Sequence, residues 1–158
     1  MIVHPIPPLY DKDSNILILG SFPSVKSREE KFFYGHPQNR FWKVLATLFG
    51  EETPKCIPEK EEFLHRNHVA LWDTIHSCDI EGSADSTIKN VVPNDLRVIT
   101  ENANIKRIFV NGNTSEKYYK KYIEPDLKIK AVCLPSTSPA NAVWSVEGLV
   151  EAWKEILI

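Results

Sequence analysis

Residues 35–42 read Gly-His-Pro-Gln-Asn-Arg-Phe-Trp, a histidine, two amides and an arginine set against two aromatics just before an apolar helical run. Two kinds of chemistry are open to Asn39 there. Its side-chain oxygen can cap a helix starting at Arg40, for which Asn is among the best residues at about 1 kcal/mol. Alternatively, its amide can hold something that reacts. Gly35-His36-Pro37 imposes an extended or turned approach. Directly before it, Phe32, Phe33 and Tyr34 place three aromatics in a predicted loop, where a fold gains little by exposing them. A flat ligand stacked on one of these rings would account for that exposure.

Two other stretches have site-like composition. Gly20-Ser21-Phe22-Pro23-Ser24 follows an apolar run and resembles a backbone cradle, but the lysine and second glycine of a phosphate loop are missing. Leu134 to Asn141 reads LPSTSPAN. Its Ser136, Thr137 and Ser138 either hold phosphates through hydroxyls and amides or form hydroxyl-stabilised turns. His36, His65, His68 and His76 with Asp73 raise the question of a metal. His65-x-x-His68 lacks the i, i+4 spacing and following carboxylate of the helical zinc motif. No G-x-S-x-G elbow occurs. Cys56, Cys78 and Cys133 are isolated thiols without a C-x-x-C pair, expected to be buried and inert. No metal or cofactor is implied.

These residues must be positioned by regular elements. Ile16–Leu19 is a continuous apolar run ending in Gly20, as a strand covered on both faces requires, and 69–72, 108–110 and 129–134 look similar. Helical patterns lie between them: Phe41 to Phe49, Glu59 to Arg66, Leu96 to Thr100 after a Pro93-Asn94 start, Ser115 to Tyr122, and Val146 to Leu157. The alternation predicts an α/β fold, a three-layer α/β/α arrangement with a central, mainly parallel sheet of about four strands. It forms one domain over residues 1–158, with the Pro-rich start through Pro8 as the candidate flexible arm. In such sheets ligands bind outside the carboxyl ends of the strands. That rule gathers Gly20–Ser24, Asp73-Thr74, Asn111-Gly112-Asn113 and Leu134–Asn141 at one edge.

A formal net charge of −2 gives no global attraction for nucleic acid. Locally, Lys26, Arg28, Lys31, Arg40 and Lys43 outnumber Glu29 and Glu30, which predicts a basic rim around the first motif. With neither a secretory pattern nor a long apolar span, the expectation is a cytosolic protein.

The string Gly20–Ser24, the spacing of sixteen positions from Gly20 to His36, the segment HPQNRFWKVL and finally LPSTSPAN before a terminal helix together resemble the uracil-DNA glycosylase superfamily. The layout is similar to the mismatch-specific branch and closer still to the DNA-deoxyinosine (hypoxanthine-DNA) glycosylase branch. Mismatch-specific relatives carry a water-positioning asparagine in the middle of the first motif, where this chain has Phe22. The deoxyinosine branch assigns catalysis to the asparagine matching Asn39. The resemblance puts Phe22, Tyr34, His36 and Asp73 around the base, with Tyr34 as the ring on which it stacks. Ser24, Ser136, Ser138, Pro139 and Ala140 are put against DNA, the last two as the wedge in the duplex. A carboxylate at Asp73 could accept the N1–H of hypoxanthine. The implied activity is monofunctional hydrolysis of a deaminated base from DNA by a monomer, without metal, cofactor or membrane. Alternatives on the same scaffold are a uracil or xanthine glycosylase and a non-catalytic DNA-binding module.

Overall fold

The computed structural model describes residues 1–158. The chain runs β1 (Ile2–Val3), β2 (Ile16–Gly20), α1 (Val25–Glu30), α2 (Phe41–Phe49), α3 (Ile57–Arg66), β3 (Val69–Asp73), β4 (Ile75–Asp79), β5 (Lys89–Pro93), α4 (Arg97–Thr100), β6 (Arg107–Asn111), α5 (Asn113–Tyr118), α6 (Glu124–Leu127), β7 (Ala131–Leu134) and α7 (Val146–Trp153). A π-helical stretch, Tyr119–Ile123, joins α5 to α6.

All five residues of β2 are buried, as its unbroken apolar run requires. It pairs in parallel with β3 on one side and β6 on the other, and β7 completes a four-stranded sheet in the order β3-β2-β6-β7. Alternation along β2 divides the core. Ile16 and Ile18 pack with Phe41, Leu45, Phe63 and Trp153 from the α2, α3 and α7 side. Leu17 and Leu19 face the opposite layer with Ile99 of α4 and Tyr119. The predicted three layers and parallel sheet are therefore present. Left-handed Gly50, at φ +67°, stops α2 and turns its amide back onto the Ala46 and Thr47 carbonyls.

A second, antiparallel sheet in the order β1-β4-β5 was not predicted from the sequence. Its strands are short, exposed His76 interrupts β4, and β5 carries Asn90 at φ +56°, so neither strand shows clean apolar alternation. Its side chains seal onto the body through Phe22, Ile75, Cys78, Ile88 and Tyr118.

Several local expectations need correction. The Pro-rich start is not a flexible arm. β1 pairs with β4, Ile6 is buried in the main core, and Leu9 bridges Leu71. Its prolines suit a strand-like strap that follows the surface while apolar residues between them face inward. Phe32 and Phe33 are likewise core residues, because the loop folds inward and Phe32 stacks on Trp42 at 6.0 Å. Only Tyr34 of the three aromatics remains half-buried beside the motif. Pro93 ends β5, and the helix after it starts later, at Arg97, whose amide donates to the Asp95 carboxylate. The last strand begins at Ala131 rather than Ile129. Cys56 is exposed, Cys133 is half-buried, and Cys78 alone is fully buried.

Replacing Ile6 by Ala tests the strap. Loss of a buried isoleucine side chain from the core should lower unfolding free energy in urea by about 2–5 kcal/mol, whereas a free arm would leave it unchanged.

Candidate functional site

The carboxyl ends of β2, β3 and β6, with the loop that follows β7, open into one cavity of about 580 Å³. Every residue that the family resemblance singled out lines it: Phe22 and Ser24 after β2; Tyr34, His36 and Asn39 before α2; Asp73 at the end of β3; and Ser136, Ser138, Pro139 and Ala140 after β7. Asn111, Thr137 and the 83–86 loop between β4 and β5, which carries Asp85, also line it. The chain's reversal on either side of β2 sets this position, since β3 lies to one side and β6 to the other.

Of the two duties that the sequence left open to Asn39, the geometry shows the capping one. The helix starts at Phe41, one residue later than predicted, and Arg40 at the cap position makes no side-chain capping bond. Asn39 Oδ1 instead accepts the Phe41 amide at 2.9 Å and the Thr137 hydroxyl, also at 2.9 Å. A main-chain N–H can only donate, so the oxygen end of the amide is fixed on the helix side. The Nδ2 group has no protein partner, and Asn39 lines the cavity. Thr137 is held in turn by Asn111, whose Nδ2 donates to the Thr137 hydroxyl and whose Oδ1 accepts the Thr137 amide, both at 3.1 Å. One polar chain thus runs from β6 through the β7 loop to the start of α2.

Arg40 fastens the same loop. Its guanidinium donates to the carbonyls of Ser138 at 2.8 Å, Asn141 at 3.0 Å and Trp144, and its main-chain amide donates to Thr137 O at 3.1 Å. The predicted basic rim is accordingly reduced. Arg40 turns inward, Arg28 donates to the Gly82 carbonyl and covers the Phe22 ring at 5.7 Å, and Lys26 pairs with Glu30. These three cations are thus engaged by carbonyls, a ring and a carboxylate.

The serines have structural duties that leave part of their chemistry free. Ser136 Oγ accepts the Ser138 amide and Ser138 Oγ accepts the Ala140 amide, so both fold the loop, and their own hydroxyl protons remain uncommitted. Ser24 caps α1, accepting Ser27 N–H and donating to Ser27 Oγ. His36 Nδ1 accepts the Gln38 amide and so shapes the turn before Asn39.

At the inner end of the cavity lie Gly20, Tyr34 and Asp73. A Cβ on Gly20 would come within 2.4 Å of Asp73 Oδ1 and 3.3 Å of the Tyr34 hydroxyl, so only glycine admits both groups. Tyr34, at φ +51°, stacks one face on Phe41 with centroids 4.0 Å apart. Its buried hydroxyl has no hydrogen-bond partner, although Asn111 lies nearby. Burial first, and the Asp73 charge second, push the phenol far above its ordinary range, so it stays neutral. Asp73 is buried and its Oδ2 meets His4 Nε2 at 2.6 Å, while no protein donor reaches Oδ1. His4 escaped the sequence reading because nothing local links it to a residue 69 positions away. Asp85 escaped it because it sits in the unforeseen hairpin. Crowding by protein atoms, the largest cause, raises the Asp85 carboxyl above its usual range, although its surface reaches solvent. No three His, Cys, Asp or Glu side chains converge as a metal-binding group would.

The chain is similar to known proteins over nearly its whole length. The family model of the uracil DNA glycosylase superfamily matches residues 7–157. The chain is 34% identical to a hypoxanthine DNA glycosylase of Methanosarcina barkeri over 154 residues, 94% of each chain. It is likewise 34% identical to a hypoxanthine DNA glycosylase of Methanosarcina acetivorans over 150 residues, 92% of each. The solution NMR structure of a Methanosarcina acetivorans protein described as a candidate uracil DNA glycosylase superposes with a TM-score of 0.82 at 29% identity, covering all of both chains.

The raised Asp85 pKa has a definite sign in stability. Folding disfavours the ionised carboxyl, so a penalty develops as pH rises above the unfolded carboxyl's range and is absent below it. Asp85→Asn should therefore raise urea stability at pH 7, with the gain shrinking as pH falls into the ordinary carboxyl range. A gain independent of pH would show that ionisation is not its source.

Proposed function

The chain belongs to the uracil-DNA glycosylase superfamily and is a DNA glycosylase of base excision repair, and from that premise we propose that its substrate base is hypoxanthine, released from deoxyinosine by hydrolysis without a lyase step. The observation that carries this reading is the unpaired Asp73 Oδ1 at the inner end of the cavity. Hypoxanthine presents an N1–H to such an acceptor, whereas its parent adenine presents a lone pair there. A carboxylate oxygen against that lone pair is repulsive and unhydrated, which separates the damaged base from the normal one. The two Methanosarcina relatives, hypoxanthine DNA glycosylases by name, support the same base.

Extruding a nucleotide costs a few kcal/mol, and least for a mispaired base such as hypoxanthine. Stacking on the Tyr34 ring, whose other face rests on Phe41, offsets about 1–3 kcal/mol of that. Asn39 then presents Nδ2, its oxygen being occupied by Phe41 and Thr137. An amide N–H donated to one lone pair of a water leaves the other directed at C1′. The water oxygen bonds to C1′ as the C1′–N9 pair departs with the purine, and the water's proton passes to solvent or to the released base. Because the sugar is already cationic in character, placing the water suffices and no strong base is needed. Ser136 and Ser138 supply free hydroxyl protons for phosphates, and Pro139 and Ala140 stand at the cavity mouth as the wedge. The protein works as a monomer in the cytoplasm in this reading.

The N3–H of uracil would also satisfy Asp73, which makes uracil release the second reading. Duplexes carrying one deoxyinosine, deoxyuridine or deoxyxanthosine, incubated with chelator and then treated with alkali, separate the two. Strand cleavage should be fastest at deoxyinosine, and cleavage at deoxyuridine alone would overturn hypoxanthine as the substrate. Asn39→Ala should reduce release by about 100-fold or more, in the range of losing one oriented donor. Its stability should fall by only about 0.5–2 kcal/mol for the lost cap. Full activity in a folded Asn39→Ala protein would remove Asn39 from the mechanism.

A further inference from the structure

Behind the cavity, the His4 side chain is buried, with 2% of it exposed, and that of Asp73 is at 6%. Its two ring nitrogens have unlike partners. The Ile6 main-chain N–H points at Nδ1 from 3.2 Å. An N–H can only donate, so Nδ1 carries the lone pair and the ring proton of the neutral imidazole sits on Nε2. His4 therefore donates to Asp73 Oδ2 at 2.6 Å.

The surroundings allow the ring no other pose. Phe22 and Trp72 meet it edge-on with centroids at 5.8 and 6.3 Å, and its own main-chain amide donates to the His76 carbonyl at 2.7 Å. Trp72 Nε1–H donates to the Ile6 carbonyl and fixes the strap that supplies the Ile6 amide. None of these groups offers a second acceptor to Nε2.

We propose that His4 is a positioning residue that orients Asp73 and so fixes which group at position 73 faces the base. By occupying Oδ2 with a fixed donor it holds the carboxylate in one pose and leaves Oδ1 as the acceptor for the ring N–H of a base. The inference rests on the substrate reading above and deepens it. His4 itself touches no substrate. A consequence follows for position 73: an asparagine there would yield its oxygen to His4 and turn its NH2 into the cavity, reversing the pocket from acceptor to donor.

That reversal gives the test. Asp73→Asn should reduce hypoxanthine release by about 100-fold or more, with His4→Gln alone within a few-fold of the wild type because the glutamine amide can still donate to Asp73. The double variant His4→Gln/Asp73→Asn should regain about tenfold or more of the loss. The introduced glutamine can present its oxygen to the NH2 of the introduced asparagine and let the asparagine oxygen face the base. Losses that merely add in the double variant would overturn the proposal, since a structural role for His4 cannot produce rescue. Imidazole 15N spectra of the wild-type protein give a second readout that needs no variant to fold. They should show protonated Nε2 with bare Nδ1, and the reverse tautomer or a doubly protonated ring would overturn it. A wild type that leaves deoxyinosine intact would instead overturn the substrate reading, while the spectrum still decides the tautomer.

Discussion

Five consecutive buried residues in β2 impose the constraint from which the rest of the molecule follows. A strand covered on both faces and flanked on both edges can satisfy its main chain only through β3 and β6, so neither polar side chains nor a bend is tolerated before Gly20. All polar chemistry is deferred to the edge where the strands end. There the chain must turn at once, and the turning residues are the small, polar and proline-rich ones that line the cavity. The site is the place where a fully satisfied sheet stops.

Turns alone would not hold a catalytic geometry. Two polar assemblies convert them into a fixed frame. Arg40 collects carbonyls of the loop after β7, and Asn111, Thr137 and Asn39 pass hydrogen bonds from β6 to the start of α2. Each buried partner is satisfied by another, which is the condition under which a polar network rigidifies rather than weakens a fold. The same bonds that cap the helix also decide which end of the Asn39 amide faces the cavity. The structural duty thus takes one end of the side chain and leaves the other without a protein partner.

Much of this was legible in the sequence, for identifiable reasons. β2, β3, β6 and β7 are continuous apolar runs, and the motifs that follow β2 and β7 are punctuated by Gly, Pro and Ser, so the sheet and its chemical edge could be read together. The segments that failed have weak or misleading local signals. The prolines before Leu9 resemble a free arm, yet Ile6 and Leu9 are core residues. The β4–β5 hairpin breaks alternation with polar and left-handed residues, which hid Asp85. Phe32 and Phe33 looked like exposed aromatics because burial by a folded-back loop leaves no periodicity. His4 depends on a contact between distant residues, for which local sequence has no code.

The strap that carries His4 is tied to the body at separate points: Ile6 in the core, the Leu9 bridge to Leu71 and the Trp72 bond to the Ile6 carbonyl. β1 contributes two residues to its sheet, helped by a surface pair between the Met1 ammonium and Asp79 at 3.2 Å. Short edge elements open locally at far smaller free energies than a core such as that around β2. Fraying would therefore begin at Met1 to Val3, outside the contacts of Ile6 and Leu9, before it disturbs Asn39, Thr137 or Arg40, which are anchored to the main sheet and α2. His4 is the first residue inward of that end, so the far side of the cavity is braced by a group whose neighbour in the chain is among the first to move.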